Sequence, residues 1–188
     1  YCLTDLTWCQ SMKGVIVYNG RWFQDKTGRI WTASDNMGFQ IIDAAKQQVY
    51  NKDNNPFNYP FFNLSILRSM YYDEEKEWLF CSERGHGLTK FDLRNNSRQH
   101  QFFALTGADE SRCINAIIKN NSRLICCGGQ SVYIVSPETM EYENIDNGFY
   151  NLPPGSISNC NTVFADNENI WIGTETKGFA QIPLSESP

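Results

Sequence analysis

The sequence predicts an all-β chain: a β-propeller segment of about four blades, each a four-stranded antiparallel sheet. Three observations carry this. First, a motif recurs. The stretches around Trp31, Trp78, Ile125 and Trp171 are each apolar on consecutive residues, and these anchors stand 47, 47 and 46 residues apart in a chain of 188. Second, each copy reads as a series of short strands parted by polar turns. Third, no stretch carries a helical period with caps; only residues 42–48 suggest a turn of that kind. A helical repeat of this length would need two amphipathic helices per copy, and the sequence offers none.

The elements follow in order. Gly14-Val15-Ile16-Val17-Tyr18-Asn19 is a strand that belongs to no complete copy. Each copy then opens on a strand, at residues 21–24, 66–72, 114–118 and 162–165. A polar turn closes each of these: Asp25-Lys26-Thr27-Gly28, Asp73-Glu74-Glu75, Asn120-Asn121-Ser122 and Asp166-Asn167-Glu168. The anchor strand comes second, apolar on successive residues as a strand covered on both faces should be. A third strand follows, as in Gly38-Phe39-Gln40-Ile41-Ile42-Asp43 and Gly87-Leu88-Thr89-Lys90-Phe91-Asp92. A weaker fourth falls at residues 47–50, 98–103 and 140–145. The blades therefore span about 21–50, 62–103, 112–146 and 160–188. The fourth copy runs out at Leu184 without an outermost strand, so residues 14–19 either complete it or belong to a preceding blade. Bare end blades would associate, through further blades or a second copy of the chain.

Composition narrows the function. The chain is 41% hydrophobic and 20% charged, as a globular protein is, and 16 basic against 21 acidic residues give a net charge of -5. That balance speaks against a nucleic-acid surface. The longest apolar runs are too short to cross a bilayer, so membrane attachment is expected only through parts outside this sequence. The chain opens at Tyr1 without a signal-peptide pattern and reads as a mature or excised segment. Its seven cysteines form no C-x-x-C, and no metal site or cofactor is expected. Cys2 and Cys9 are the expected pair if a disulfide forms. Cys126 and Cys127 are adjacent, so on a strand they should point to opposite faces, as reduced, apolar packing groups.

The motif is more specific than its period. Asp25-x-x-Gly28-x-Ile30-Trp31, Ile170-Trp171-Ile172-Gly173-Thr174 and Gly87-Leu88-x-x-Phe91-Asp92 resemble the two-component regulator propeller repeat. The resemblance runs from Arg21 to Leu184, and the third copy, with Ile125 in the tryptophan position, rests mainly on spacing. It implies the periplasmic sensor region of a hybrid two-component regulator, which detects breakdown products of complex glycans.

Chemistry-bearing motifs are few. There is no H-E-x-x-H, nucleophile elbow, P-loop or dinucleotide fingerprint, and only two histidines, His86 and His100. His86 reads first as an exposed loop histidine. The turns between second and third strands share a rim with the inter-blade connections. That rim gathers Asn36, Arg84, His86, Gln130 and Lys177 with Tyr59, Asp109, Arg112 and Tyr150. The candidate ligand-binding residues are Tyr59, Arg84, His86, Asp109, Arg112 and Lys177, facing an oligosaccharide. The aromatic loop of residues 53–62 either folds its rings onto the blades or forms a lip that stacks on a ligand. No catalytic residue is expected. Two rival readings stay open: a propeller scaffold for protein partners, and a propeller lyase or glycosidase, which would need a carboxylate pair across a cleft.

Overall fold

A computed structural model of the protein shows, among the described residues, fifteen strands and one short 3-10 helix. The structure describes residues 21–34, 38–64, 67–83, 87–103, 114–129, 131–145, 157 and 159–184. The expected strand at residues 14–19 and the Cys2–Cys9 pair lie outside them. The first sheet is β1 (Arg21–Gln24), β2 (Ile30–Ser34), β3 (Gly38–Asp43) and β4 (Gln48–Tyr50). The second is β5 (Leu67–Asp73), β6 (Trp78–Glu83), β7 (Leu88–Asp92) and β8 (Ser97–Gln101). The third is β9 (Ala116–Asn120), β10 (Arg123–Gly128), β11 (Ser131–Val135) and β12 (Tyr142–Ile145). The fourth is β13 (Cys160–Ala165), β14 (Asn169–Thr174) and β15 (Phe179–Pro183). Neighbours in sequence are neighbours in every sheet, and every pairing is antiparallel. Among the described residues the fourth sheet has three strands.

Turn chemistry fixes these hairpins. Asp25, Asp73 and Asp166 enter the first turn of their copies, and in each Oδ1 accepts a backbone N–H of the turn: from Thr27 at 2.9 Å, Lys76 at 3.2 Å and Glu168 at 2.9 Å. Four-residue turns close on a left-handed residue, at Gln47, Glu77, Asn96 and Met140, with φ of 52°, 53°, 57° and 65°. This explains why β4 and β12 begin after Gln47 and Met140, which the sequence reading had counted as strand. Ile114, also counted as strand, instead docks on the second sheet: its N–H donates to Ser82 Oγ at 3.1 Å, and its carbonyl accepts from Ser69 Oγ at 2.7 Å.

Strand register corrects one anchor. Phe23 faces Trp31, Ile118 faces Ile125 and Phe164 faces Trp171. In the second sheet that place is held by Tyr71 facing Phe80, while Trp78 faces Asp73 at the turn. Trp78 is therefore two residues from the position assigned to it. The first turn of the second copy is four residues long, against three in the first copy and two in the third and fourth, and this displaced the tryptophan. Trp31, Phe80 and Ile125 are buried, whereas Trp78 and Trp171 are half-buried.

The chain divides into two units, residues 1–66 and 67–188. In the first, Trp31 packs among Phe23, Phe39 and Phe61. In the second, two cores lie on the two sides of the third sheet. Leu124, Cys126, Tyr133 and Val135 meet Phe80 and Leu88 of the second sheet. Ile125, Cys127, Val132 and Ile134 meet Val163, Ile170, Ile172 and Ile182 of the fourth. Cys126 and Cys127 thus face opposite ways, both buried and both free thiols, as the adjacent pair implied.

Candidate functional site

Of the candidate ligand residues, Arg84, His86, Asp109 and Arg112 lie outside the described residues, as do Asn36, Gln130 and Tyr150. Tyr59 and Lys177 are described, one in each unit.

Tyr59 ends a loop that Asn55 ties shut: Asn55 Nδ2 donates to the Tyr59 carbonyl, and Asn55 Oδ1 accepts from the Tyr59 N–H, each at 2.9 Å. The 3-10 turn Pro60–Asn63 follows. The Tyr59 ring stacks between Phe57 and Phe61, with centroids at 5.2 and 4.9 Å. Phe61 continues the column onto Phe39 and Trp31, and Phe61 and Phe62 are buried. Most of the aromatic loop is therefore packing, the first of its two readings. Phe57 and Tyr59 remain half-buried at the outer part of the column.

Lys177 sits in the turn between β14 and β15. Its N–H donates to Thr174 Oγ1 at 3.0 Å, and Gly178, at φ +78°, completes the bend. Its side chain is exposed. This puts an exposed cation on a turn whose backbone is fixed, where it can meet an anionic or hydroxylated ligand. His100, the second histidine, is structural: Nδ1 is 2.7 Å from Thr89 Oγ1 and the ring meets Phe102 edge-on.

Sequence reasoning missed the opposite rim, where first and third turns emerge. There the second and third sheets are laced together by charge. Lys119 Nζ donates to Asp73 Oδ2 at 2.6 Å. Lys90, buried at its head, donates to the carbonyls of Pro137 and Glu138 at 2.9 Å and lies 4.5 Å from the Trp78 ring centre. Lys76 pairs with Glu138 and also rests on that ring. Burial pulls the Lys90 ammonium below its usual range, against the pull of Glu138 and Asp92. Burial works against the Asp73 carboxylate too, but the Lys119 hydrogen bond and the turn N–H groups outweigh it and keep its pKa low.

Beside this network a cleft of about 330 Å³ opens in the third sheet, lined by Ser122, Arg123, Ser136, Thr139, Glu141 and Glu143 among others. Hydroxyls, carboxylates and a guanidinium suit it to a small polar molecule through hydrogen bonds. The signal was present in the sequence as the polar turns 120–123 and 136–143, but turns of that composition close every blade. Among the described residues, no group of three or more His, Cys, Asp or Glu side chains is placed to hold a metal ion, and no helix is long and apolar enough to cross a membrane.

Successive antiparallel sheets, of four strands or, in the fourth, three among the described residues, packed face to face along the second unit and repeated every 45 to 50 residues or so, define the class: a β-propeller segment. Solved structures agree on that fold. The extracellular domain described as that of a hybrid two-component system from B. thetaiotaomicron matches at a TM-score of 0.60 and 13% identity, over 86% of this chain and 20% of its own. The computationally designed Ika4 protein matches at 0.58 and 8%, over 86% of this chain and 88% of its own. PorZ, a surface component of the type-IX secretion system of Porphyromonas gingivalis, matches at 0.52 and 12%, over 87% of this chain and 20% of its own. The chain thus spans about a fifth of the length of two of these. No protein-family model matches it, and no curated protein matches its sequence.

Proposed function

We propose that this chain is a non-enzymatic ligand-recognition segment of an extracytoplasmic, periplasmic sensor propeller, in a hybrid two-component regulator that responds to glycan breakdown products. One observation carries the reading: the repeat motif that resembles such regulators folds into sheets that match the extracellular domain described for one of them over 86% of this chain. The site chemistry is compatible with it. Tyr59 offers a half-buried ring within an aromatic stack, and Lys177 an exposed cation carried on a hydrogen-bonded turn. Recognition by such groups needs stacking and hydrogen bonds, and no activated nucleophile, metal or cofactor.

The test is titration calorimetry of the purified chain against glycan fragments, with chromatography of the mixture afterwards. Saturable binding without cleavage, weakened in the Tyr59→Ala or Lys177→Ala variants, is the expected result. Cleavage lost in a point mutant would replace this reading with that of a lyase or glycosidase. Absence of glycan binding, together with saturable binding of a protein, would replace it with that of a scaffold.

A further inference from the structure

Two buried cysteines face one another across the junction of the third and fourth sheets. Cys127 lies two residues beyond Ile125 on β10, so it shares that anchor's side of the sheet. Cys160 opens β13, where two residues of the strand stand against one of β14: Cys160 pairs with Thr174, and Thr162 with Gly173. The extra residue is a β-bulge. It turns Cys160 to the same side as Val163, three positions on, whereas in a regular strand the two would point opposite ways. Both cysteines therefore enter the core between the two sheets, and both are 0% exposed.

Asn115 fixes the spacing of the pair. Its N–H donates to the Cys127 carbonyl at 2.8 Å, and its Nδ2 donates to the Cys160 carbonyl at 2.8 Å. The Cys160 N–H donates in turn to the carbonyl of Gly129, two residues beyond Cys127, at 3.1 Å. Between these clamps the side chains meet: hydrogen bonding with Cys127, and burial after it, push the Cys160 thiol up. Cys126 faces the other core, and Cys81 stands beside Phe80 on the second sheet, so neither shares this side of the junction.

We propose that Cys127 and Cys160 form a redox modification site, which a disulfide oxidant converts into a covalent staple between the third and fourth sheets. A disulfide needs two side chains aimed at each other from closely held backbones, and the bulge and Asn115 supply both. The oxidant is a small-molecule or protein disulfide. One cysteine thiolate attacks it, forms a mixed disulfide and expels a first thiol; the other thiolate attacks the mixed disulfide and expels a second. The chain loses two protons and two electrons, and the oxidant is reduced to two thiols. Burial and a raised pKa keep thiolate scarce in the folded chain, so the bond forms while the fourth sheet is still undocked. The staple closes residues 128–159 into a loop, which removes freedom from the unfolded chain. This inference does not rest on the ligand-sensing reading.

Refolding the full chain from urea, in a buffer of oxidised and reduced glutathione, tests it. Free thiols are then alkylated, and cleavage after Glu138, Glu141 or Glu143 separates the two cysteines. Mass spectrometry should find one cross-linked pair of peptides, lighter by two hydrogens than its dithiol form. Fragmentation should place the bond on Cys127 and not on Cys126. The cross-linked chain should melt several degrees above the chain refolded with a reductant. The mapping uses the wild type, so it does not depend on a substitution in the core. Cys127 and Cys160 both recovered as free thiols after refolding would overturn the proposal. So would either one bonded to a different cysteine, or a cross-linked chain that melts below the reduced one.

Discussion

Trp31 and Asp25 are joined side chain to side chain: the indole Nε1 donates to Asp25 Oδ2 at 2.7 Å. The same carboxylate accepts from Thr27 and from the Arg29 backbone and guanidinium, so one buried residue holds turn, strand and core ring together. The fourth copy repeats the bond, Trp171 Nε1 to Asp166 Oδ2 at 3.1 Å.

Removing Asp25 should therefore loosen the first sheet. Asp25→Ala leaves a buried indole N–H without its acceptor, and should cost about 2 kcal/mol in urea denaturation. Burial opposes the charge on Asp25, but hydrogen bonds from Thr27, Trp31 and Arg29 outweigh it and hold the carboxyl below its usual range. The stability this adds is present above the unfolded carboxylate value, about pH 4. It is lost as pH falls through the lower native value. The difference between wild type and Asp25→Asn should thus shrink on acidification, and a constant difference would refute the linkage.

Phe80, rather than Trp78, should behave as the core anchor of the second sheet. Phe80→Ala empties a fully buried site and should cost about 3–5 kcal/mol. Trp78→Ala removes a half-buried ring that two lysines overlie, and should cost less despite its greater size. Melting curves of the two variants, compared directly, decide the register.

The Lys119–Asp73 pair ties two sheets, so its loss should weaken their junction. Lys119→Met should cost about 2 kcal/mol, by leaving a buried carboxylate without its strongest donor. The Asp73 hydrogen bond raises the Lys119 pKa, and this stabilisation is present below the ordinary lysine range and lost as pH climbs through the raised native value. Asp73, held low, gives the mirror effect: its contribution fades as pH falls through its native value. A double-mutant cycle with Asp73→Asn at neutral pH should show coupling; strict additivity would mean that the two act separately.

Two glycines with the same backbone angle should respond differently to alanine. Gly87 and Gly178 both have φ +78°. A Cβ on Gly87 would run into the backbone of Gln101, Phe102 and Phe103, whereas a Cβ on Gly178 meets nothing within 4 Å. Gly178→Ala should cost only the left-handed strain, about 1 kcal/mol. Gly87→Ala adds a collision with backbone that cannot rotate away, and should lower the melting temperature clearly more.

The strand order was legible because every copy alternates apolar runs with turn residues, and because both sides of an inner blade must be apolar. Trp78 misled because a shift of two residues along a strand keeps a side chain on the same face, so burial pattern alone could not expose it. The aspartates at the turn entrance would not have either: Trp78 follows Asp73 by five residues, as Trp171 follows Asp166, and only the longer turn of the second copy sets the two apart. The site was less legible for a different reason. Phe61 and Tyr59 look alike in the sequence, and only the Asn55 clasp and the 3-10 turn decide that one ring is buried and the other stays at the edge. The rim network of Lys76, Lys90 and Glu138 joins residues 48 and 62 positions apart, beyond any local pattern.

Cys126 and Cys127 stand side by side on β10, yet each belongs to a different core. The third sheet is thus a party wall, with no slack on either side. Interiors packed this densely do not yield locally, so moving the strand to relieve crowding at Cys126 presses Cys127 into Val163 and its neighbours. An enlarged residue at one position should therefore be tolerated best when its neighbour shrinks, and strain entering at the second sheet will be handed on to the fourth.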